Sequence, residues 1–196
     1  MNDSVPLMSS TVLRRSQEKD LAYVMFTAEE VESRVHELAE EISRDYAGRE
    51  FTMLGVLRGA FIFIADLMRH LTVPCTVDFM AFESYGAATE TSGVVRLTKD
   101  LDESVTGKHL LVVEDIIDSG RTLHYMLQMM EAREPASINI CTLLQKPSRR
   151  EVDIDVRYCG FSVPDEFVVG YGLDYDQRYR GLPCIGVLKP EIYGGA

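Results

Sequence analysis

Basic side chains are in short supply. Twenty Lys and Arg stand against 31 Asp and Glu, a formal net charge of −11 over 196 residues. A surface that grips nucleic-acid phosphates needs clustered Lys and Arg, so this balance argues against a nucleic-acid partner and is compatible with a site for divalent cations. Long apolar runs are missing too. The longest, AFIFIADLM, is interrupted by Asp66 and falls far short of the roughly 20 residues that cross a bilayer, so no membrane association is expected. The first twenty residues carry Arg14, Arg15, Glu18 and Lys19 and no apolar core. No secretory signal is expected, and Asn-Asp-Ser at Asn2 reads as a chance match to a glycosylation site. Cysteine is sparse: Cys75, Cys141, Cys159 and Cys184 lie far apart, mostly in apolar runs. None has metal-site spacing to another, so reduced thiols in a cytoplasmic protein are expected. Repeats, low-complexity tracts and linkers are absent. Residues 1–196 therefore read as a single domain with a loose polar arm at 1–19, long enough to bury roughly 70% of its unfolded surface.

What is present is an alternation. LAYVMF (21–26) reads as a strand, and Thr27 with Glu30 forms the T-x-x-E box that starts a helix. Val31, Val35, Leu38, Ala39 and Ile42 recur at helical spacing up to Gly48. FTMLGVL (51–57) predicts a buried strand, AFIFIADLMRHL a helix, TVDFMAFES (76–84) and VVRLTKDL two strands. Strand 109–114, helix RTLHYMLQMMEAR and strand 136–146 follow, with Met126, Met129 and Met130 on the core side of that helix. Strands alternating with helices of about a dozen residues predict an α/β fold with a central, mostly parallel sheet flanked by helices. After Pro147 the short pieces DVRYCGF, FVVGYG and CIGVL are expected to form a smaller flap, or hood lobe.

The stretch LLVVEDIIDSGRTL (110–123) sets four aliphatics ahead of Glu114, Asp115 and Asp118, then breaks at Ser119-Gly120. In an open parallel sheet, ligands bind beyond the carboxyl ends of strands. Backbone N–H groups from Asp118 to Thr122 at a helix N-terminus, with Gly120 allowing close approach and hydroxyls on Ser119 and Thr122, form a phosphate cradle. It is not a P-loop, because the first Gly is missing and Arg121 stands where Lys belongs. Three carboxylates would repel a bare phosphate ester, yet they suit hydroxyls or a metal. A sugar phosphate satisfies both demands. The simpler reading makes Asp118 and Ser119 helix caps and nothing more.

This stretch resembles the 5-phosphoribosyl-1-pyrophosphate (PRPP) signature of type I phosphoribosyltransferases. From about Asp20 to Leu188 the chain is similar to the short, bacterial-type hypoxanthine and hypoxanthine-guanine enzymes of that family. LRGAFIF matches their pyrophosphate loop, SYG at 84–86 the start of their mobile loop, and LLQKPSRR with PDEFVVGYGLDYDQRYRGLP their purine-binding hood. The resemblance implies the type I phosphoribosyltransferase fold and attack of a 6-oxopurine N9 on C1′ of PRPP, with Mg²⁺ as cofactor.

By matched position, Glu114 and Asp115 would bind the ribose hydroxyls, directly or through Mg²⁺, and Asp118 is the candidate general base near purine N7. Ser119, Gly120, Arg121 and Thr122 would hold the 5′-phosphate; Leu57, Arg58, Gly59 and Arg180 the pyrophosphate. Lys146 would contact the 6-oxo group, Phe167 stack on the base, Val168 offer backbone groups to its edge, and Asp174 ligate Mg²⁺. The family has a cis peptide before the basic residue of its pyrophosphate loop. Arg58 and Arg121 stand where Lys is common in the mammalian enzymes, and the positive charge is kept.

Each residue also has a plainer reading. Lys146 ends a strand and could be solvated, Phe167 could be core, and Asp174 with Arg180 could be a surface ion pair of little consequence. Residues 84–98, beginning with Ser84 and Tyr85, are expected to form a lid that keeps water from the reaction, because SYGAATETSG (84–93) has little to bury. The resemblance implies a homodimer or homotetramer in the cytoplasm. The alternative function is a phosphoribosyltransferase-fold regulator that binds RNA, against which the acidic charge and the FVVGYGLDY segment both count.

Overall fold

The computed structural model describes residues 17–84 and 95–194. Residues 1–16 of the polar arm, and Tyr85 with most of the expected lid, lie outside the described residues. The chain divides into two compact units: Glu32–Glu166, and a smaller one in which the described parts of 1–31 and 167–196 come together.

The larger unit holds a six-stranded sheet of order β4-β3-β2-β5-β6-β7. Its strands are β2 (Phe51–Leu57), β3 (Cys75–Ser84), β4 (Val95–Lys99), β5 (His109–Ile117), β6 (Ser137–Gln145) and β7 (Tyr158–Ser162). All neighbours pair in parallel except β4, which returns antiparallel along β3. Leu110 to Val113 of β5 are fully buried, as a central parallel strand covered on both faces requires. Two helices of this unit lie between strands in the chain: α2 (Phe61–His70) and α3 (Arg121–Glu131). Phe63, Ile64 and Leu67 are the buried stripe of α2, and Leu123, Met126 and Met130 that of α3. Met129 packs against the same cluster from a partly buried position.

Helix α1 (Ala28–Asp45) starts as its sequence predicts. The Thr27 N–H donates to Glu30 Oε2 at 2.8 Å and the Glu30 N–H to Thr27 Oγ1 at 3.2 Å, the reciprocal capping box. Val35, Leu38, Ala39 and Ile42 are buried along one stripe.

The smaller unit is built on a three-stranded antiparallel sheet of order β1-β9-β8, from β1 (Leu21–Phe26), β8 (Val168–Val169) and β9 (Ile185–Leu188). Leu21, Val169, Tyr179, Leu182, Cys184 and Leu188 form its core, and the short helix α4 (Pro190–Tyr193) follows β9.

Two expectations are corrected. DVRYCGF does not join the short strands of the hood: its strand, β7, extends the large sheet beside β6. Gly160 makes that fit possible, since a Cβ there would run into the Leu143 carbonyl. Arg34 of α1 adds hydrogen bonds to the Cys159 and Gly160 carbonyls at 2.9 and 3.1 Å. Strand β5 also runs past Glu114 to Ile117, because Ile116 and Ile117 still pair with Leu144 and Gln145 of β6. Among the described residues all four cysteines are free, with Cys141 and Cys184 buried, and no helix is long and apolar enough to cross a membrane.

Candidate active site

The strand order reverses at β2. From β2 the chain moves to β3 on one side, and after β4 it returns to β5 on the other. The crevice beyond the carboxyl ends of β2 and β5 is therefore the switch point where such sheets bind ligands. A cavity of about 270 Å³ lies there, walled by Leu57, Arg58 and Gly59 after β2, by the segment from Glu114 to Gly120, and by Thr122. The pyrophosphate-loop and phosphate-cradle candidates, some sixty residues apart in sequence, thus share one cavity.

The β2 side turns sharply, with a cis peptide bond between Leu57 and Arg58. Gly59 then comes so close to β5 that a Cβ there would overlap the Asp115 carboxylate. On the β5 side, Glu114 is buried. Burial, reinforced by the adjacent Asp115 carboxylate, pushes its pKa well above the usual carboxylate range. Two neighbouring carboxylates in this position favour a partner that brings positive charge or hydroxyl donors.

The cradle follows. Gly120 is the residue before α3 and sits in the left-handed region at φ 84°, where it has no side chain to cap the helix. Asp118 is thus not spent on capping, contrary to the plainer reading, whereas for Ser119 that reading holds in weak form. The Ser119 hydroxyl takes one weak bond from the Arg121 N–H at 3.4 Å. The loop is held from outside: the Ser119 carbonyl accepts from the N–H groups of Glu151 and Val152 at 3.0 and 3.4 Å. A Cβ on Gly120 would press on Ile154. The Arg121 side chain pairs with Glu151.

Lys146, directly after β6, is not the solvated lysine of the plainer reading. It is 8% exposed, and its backbone N–H donates to the Ile117 carbonyl at 2.9 Å, tying it to the start of the cradle. Its ammonium lies 3.5 Å from Asp165 Oδ1. Asp118 accepts from Arg149 Nε at 3.2 Å. Sequence reasoning quoted Arg149, Arg150 and Asp165 only as parts of the hood motifs and gave them no role; among the described residues the buried Nε of Arg150 has no hydrogen-bond partner. No periodicity or spacing marks such residues.

In the smaller unit Phe167 is exposed rather than core, at 37%. It stacks on Tyr193 with centroids 4.7 Å apart and meets Tyr175 edge-on. Neither tyrosine was singled out from the sequence. Val168 is buried in β8. Asp174 and Arg180 pair at 2.7 Å, partly buried, and Asp174 also accepts from the Gln177 N–H. The Arg180 guanidinium donates to the Gly172 carbonyl at 2.6 Å. The plainer reading of an ion pair holds for the geometry of these two residues. Ser84 is the last residue of β3.

The phosphoribosyl transferase domain model matches residues 25–176. The hypoxanthine phosphoribosyltransferase of Salmonella typhimurium is 52% identical over 170 residues, 86% of this chain and 96% of that protein. The hypoxanthine-guanine phosphoribosyltransferase of Mycobacterium avium is 46% identical over 180 residues, 89% of each. The crystal structure of a Staphylococcus aureus hypoxanthine phosphoribosyltransferase superposes with a TM-score of 0.87 at 41% identity, covering 95% of this chain and 99% of that one. A parallel sheet with a switch-point crevice, a phosphate cradle next to paired carboxylates and this breadth of identity agree: the chain belongs to the phosphoribosyltransferase family, in its hypoxanthine and hypoxanthine-guanine branch.

Proposed function

We propose that this protein is a purine-salvage transferase, moving the 5-phosphoribosyl group of PRPP onto N9 of hypoxanthine or guanine and releasing pyrophosphate. The observation that carries the reading is the shared cavity of the β2 loop and the β5–α3 turn, where a backbone cradle and two carboxylates stand within one sugar phosphate's reach. The Asp118–Thr122 cradle takes the 5′-phosphate, and Glu114 and Asp115 take the ribose hydroxyls.

Glu114 and Asp115 are also hard oxygen donors of the kind Mg²⁺ uses in ones or twos beside substrate phosphates and water. Among the described residues no cluster of three or more His, Cys, Asp or Glu could cage a metal, which suits a cation that arrives with substrate. When bound, Mg²⁺ supplies charge neutralisation for the pyrophosphate. Asp174 as a further ligand, Arg180 at the pyrophosphate, and Phe167 and Val168 at the base rest on the family resemblance.

Bond cleavage at C1′ leaves positive charge on the ribose and negative charge on the departing pyrophosphate. Arg58 and Arg180 stabilise the latter as fixed cations. Asp118 accepts the proton from purine N7 while N9 attacks, as a general base. Lys146 donates to the 6-oxo oxygen. We propose that the whole chain serves as one phosphoribosyltransferase domain, working in the cytoplasm as a homodimer or homotetramer; a monomer in sedimentation at micromolar concentration would count against the assembly.

The direct test supplies PRPP, Mg²⁺ and each purine in turn and follows nucleotide formation by absorbance. Hypoxanthine or guanine is expected to react and adenine to be rejected, because an ammonium has donors only and cannot bond an exocyclic amine. Adenine used as well as hypoxanthine, or no product with any base, would overturn the proposal.

A further inference from the structure

Lys146 is nearly buried, and a buried ammonium without a partner is strongly unfavourable. Here the partner is Asp165, at 3.5 Å. The same Oδ1 of Asp165 lies 3.7 Å from Arg149 Nε, and that Nε donates to Asp118 Oδ1 at 3.2 Å. From Asp118 to Lys146 the groups alternate as carboxylate, cation, carboxylate, cation. The two ends are the residues proposed above to take the N7 proton and to read the 6-oxo group. The two middle groups present a donor to Asp118 and an acceptor to Lys146. A 6-oxopurine protonated at N7 offers the same pair in the same order along one edge, an N–H followed by a carbonyl oxygen.

We infer that the Arg149–Asp165 pair is an internal stand-in for the purine edge, satisfying Asp118 and Lys146 until a 6-oxopurine displaces it. The inference rests on the roles proposed for Asp118 and Lys146. Exposure makes the exchange feasible. The Arg149 and Asp165 side chains are 54% and 53% exposed, against 10% for Lys146. The two exposed side chains can swing into water as the purine edge takes their place, so Lys146 keeps an acceptor and only the exposed Arg149–Asp165 contact, which contributes little, is given up. One cation and one anion leave for a neutral base, so the charge of the site is unchanged. Purine must displace the pair in order to bind, and its apparent affinity falls by the cost of that displacement. The stand-in also sharpens selection: adenine brings an amine where Asp165 brought an acceptor, and displacement by adenine would strand the buried ammonium.

The test compares Arg149→Met, Asp165→Ala and the double variant with wild type, measuring KM and kcat for hypoxanthine at saturating PRPP and Mg²⁺ alongside thermal unfolding. Removing either member should lower KM by about two- to five-fold, the worth of an exposed pair, and leave kcat unchanged. The double variant should gain no more than the singles, because one element is displaced as a unit. Asp165→Ala should lower Tm while lowering KM, a combination that a merely structural role would not give. A KM that is unchanged or raised in either single variant overturns the inference. The underlying reading fails separately: if Lys146→Gln keeps wild-type kcat/KM for hypoxanthine, Lys146 is not the purine reader and there is nothing for the pair to imitate.

Discussion

Asp118 shows how little of a residue's chemistry its position along the chain reveals. A carboxylate just before a helix is ordinary capping material, yet here α3 begins behind a left-handed Gly120, and Asp118 turns instead to Arg149. Its freedom from capping is compatible with the base role proposed for it. Asp118→Asn keeps the shape and the ability to accept from Arg149 but cannot take up a proton. We expect the variant to fold and to bind PRPP, with kcat lower by about 10²–10⁴-fold, the usual worth of a general acid–base group. A pre-steady-state assay with hypoxanthine checks it, and unchanged kcat would remove Asp118 from the role. Lys146 teaches the converse. The sequence allowed it to be a solvated strand end, and its burial against Asp165 is what supports the donor role proposed for it.

At the scale of elements, the site depends on two turns brought into register by β2 and β5, whose residues Thr52 to Gly55 pair in parallel with Leu110 to Val113. That pairing presses the turn after β2 against β5, and Gly59 is where the turn meets the Asp115 side chain. A methyl group there would collide with the Asp115 carboxylate, so either the carboxylate or the loop must shift. Gly59→Ala should therefore lower kcat/KM by on the order of 10²-fold, as a misplacement of about 1 Å can. Its stability cost should stay within the roughly 1–3 kcal/mol typical of overpacking. Steady-state kinetics with a denaturant titration separate the two effects; full activity would mean that the carboxylate's position is not critical.

At the scale of the whole molecule, a ligand that binds only the folded chain must stabilise it. PRPP with Mg²⁺ at a hundred times its dissociation constant adds about 2.7 kcal/mol. For a chain of this length that amounts to a Tm rise of about 5–10 °C. Chelation with EDTA should remove most of the rise, because Mg²⁺ would offset the repulsion between the phosphates of PRPP and the acids Glu114 and Asp115. Thermal unfolding with and without chelator checks this, and an equal shift in both would show that the metal plays no part in PRPP binding.

Much of this was legible in the chain. Period and capping chemistry located β1, α1, β2, α2, β6 and α3 to within a few residues, because helix spacing, a capping box and buried aliphatic runs are local properties. The acids and the Ser-Gly break after Val113 marked the cradle for the same reason, since strand, turn and helix start are contiguous there. Partner choice was not legible. DVRYCGF suits the edge of either sheet by composition; β6 gained it because Gly160 removes the side chain that would strike Leu143. The chain's first strand closes a sheet with its last, a pairing across more than 150 residues that no local pattern encodes. Arg149 lies 31 residues from Asp118, and only the tertiary structure could set guanidinium, carboxylates and ammonium in one line. Sequence by itself determined most of the elements, the family and the place of the acids and the Ser-Gly turn after β5, which short-range physics writes locally. Tertiary structure decided strand order, the shared cavity of β2 and β5, and the ion-pair line beside it, because these depend on backbone distances between segments remote in the chain.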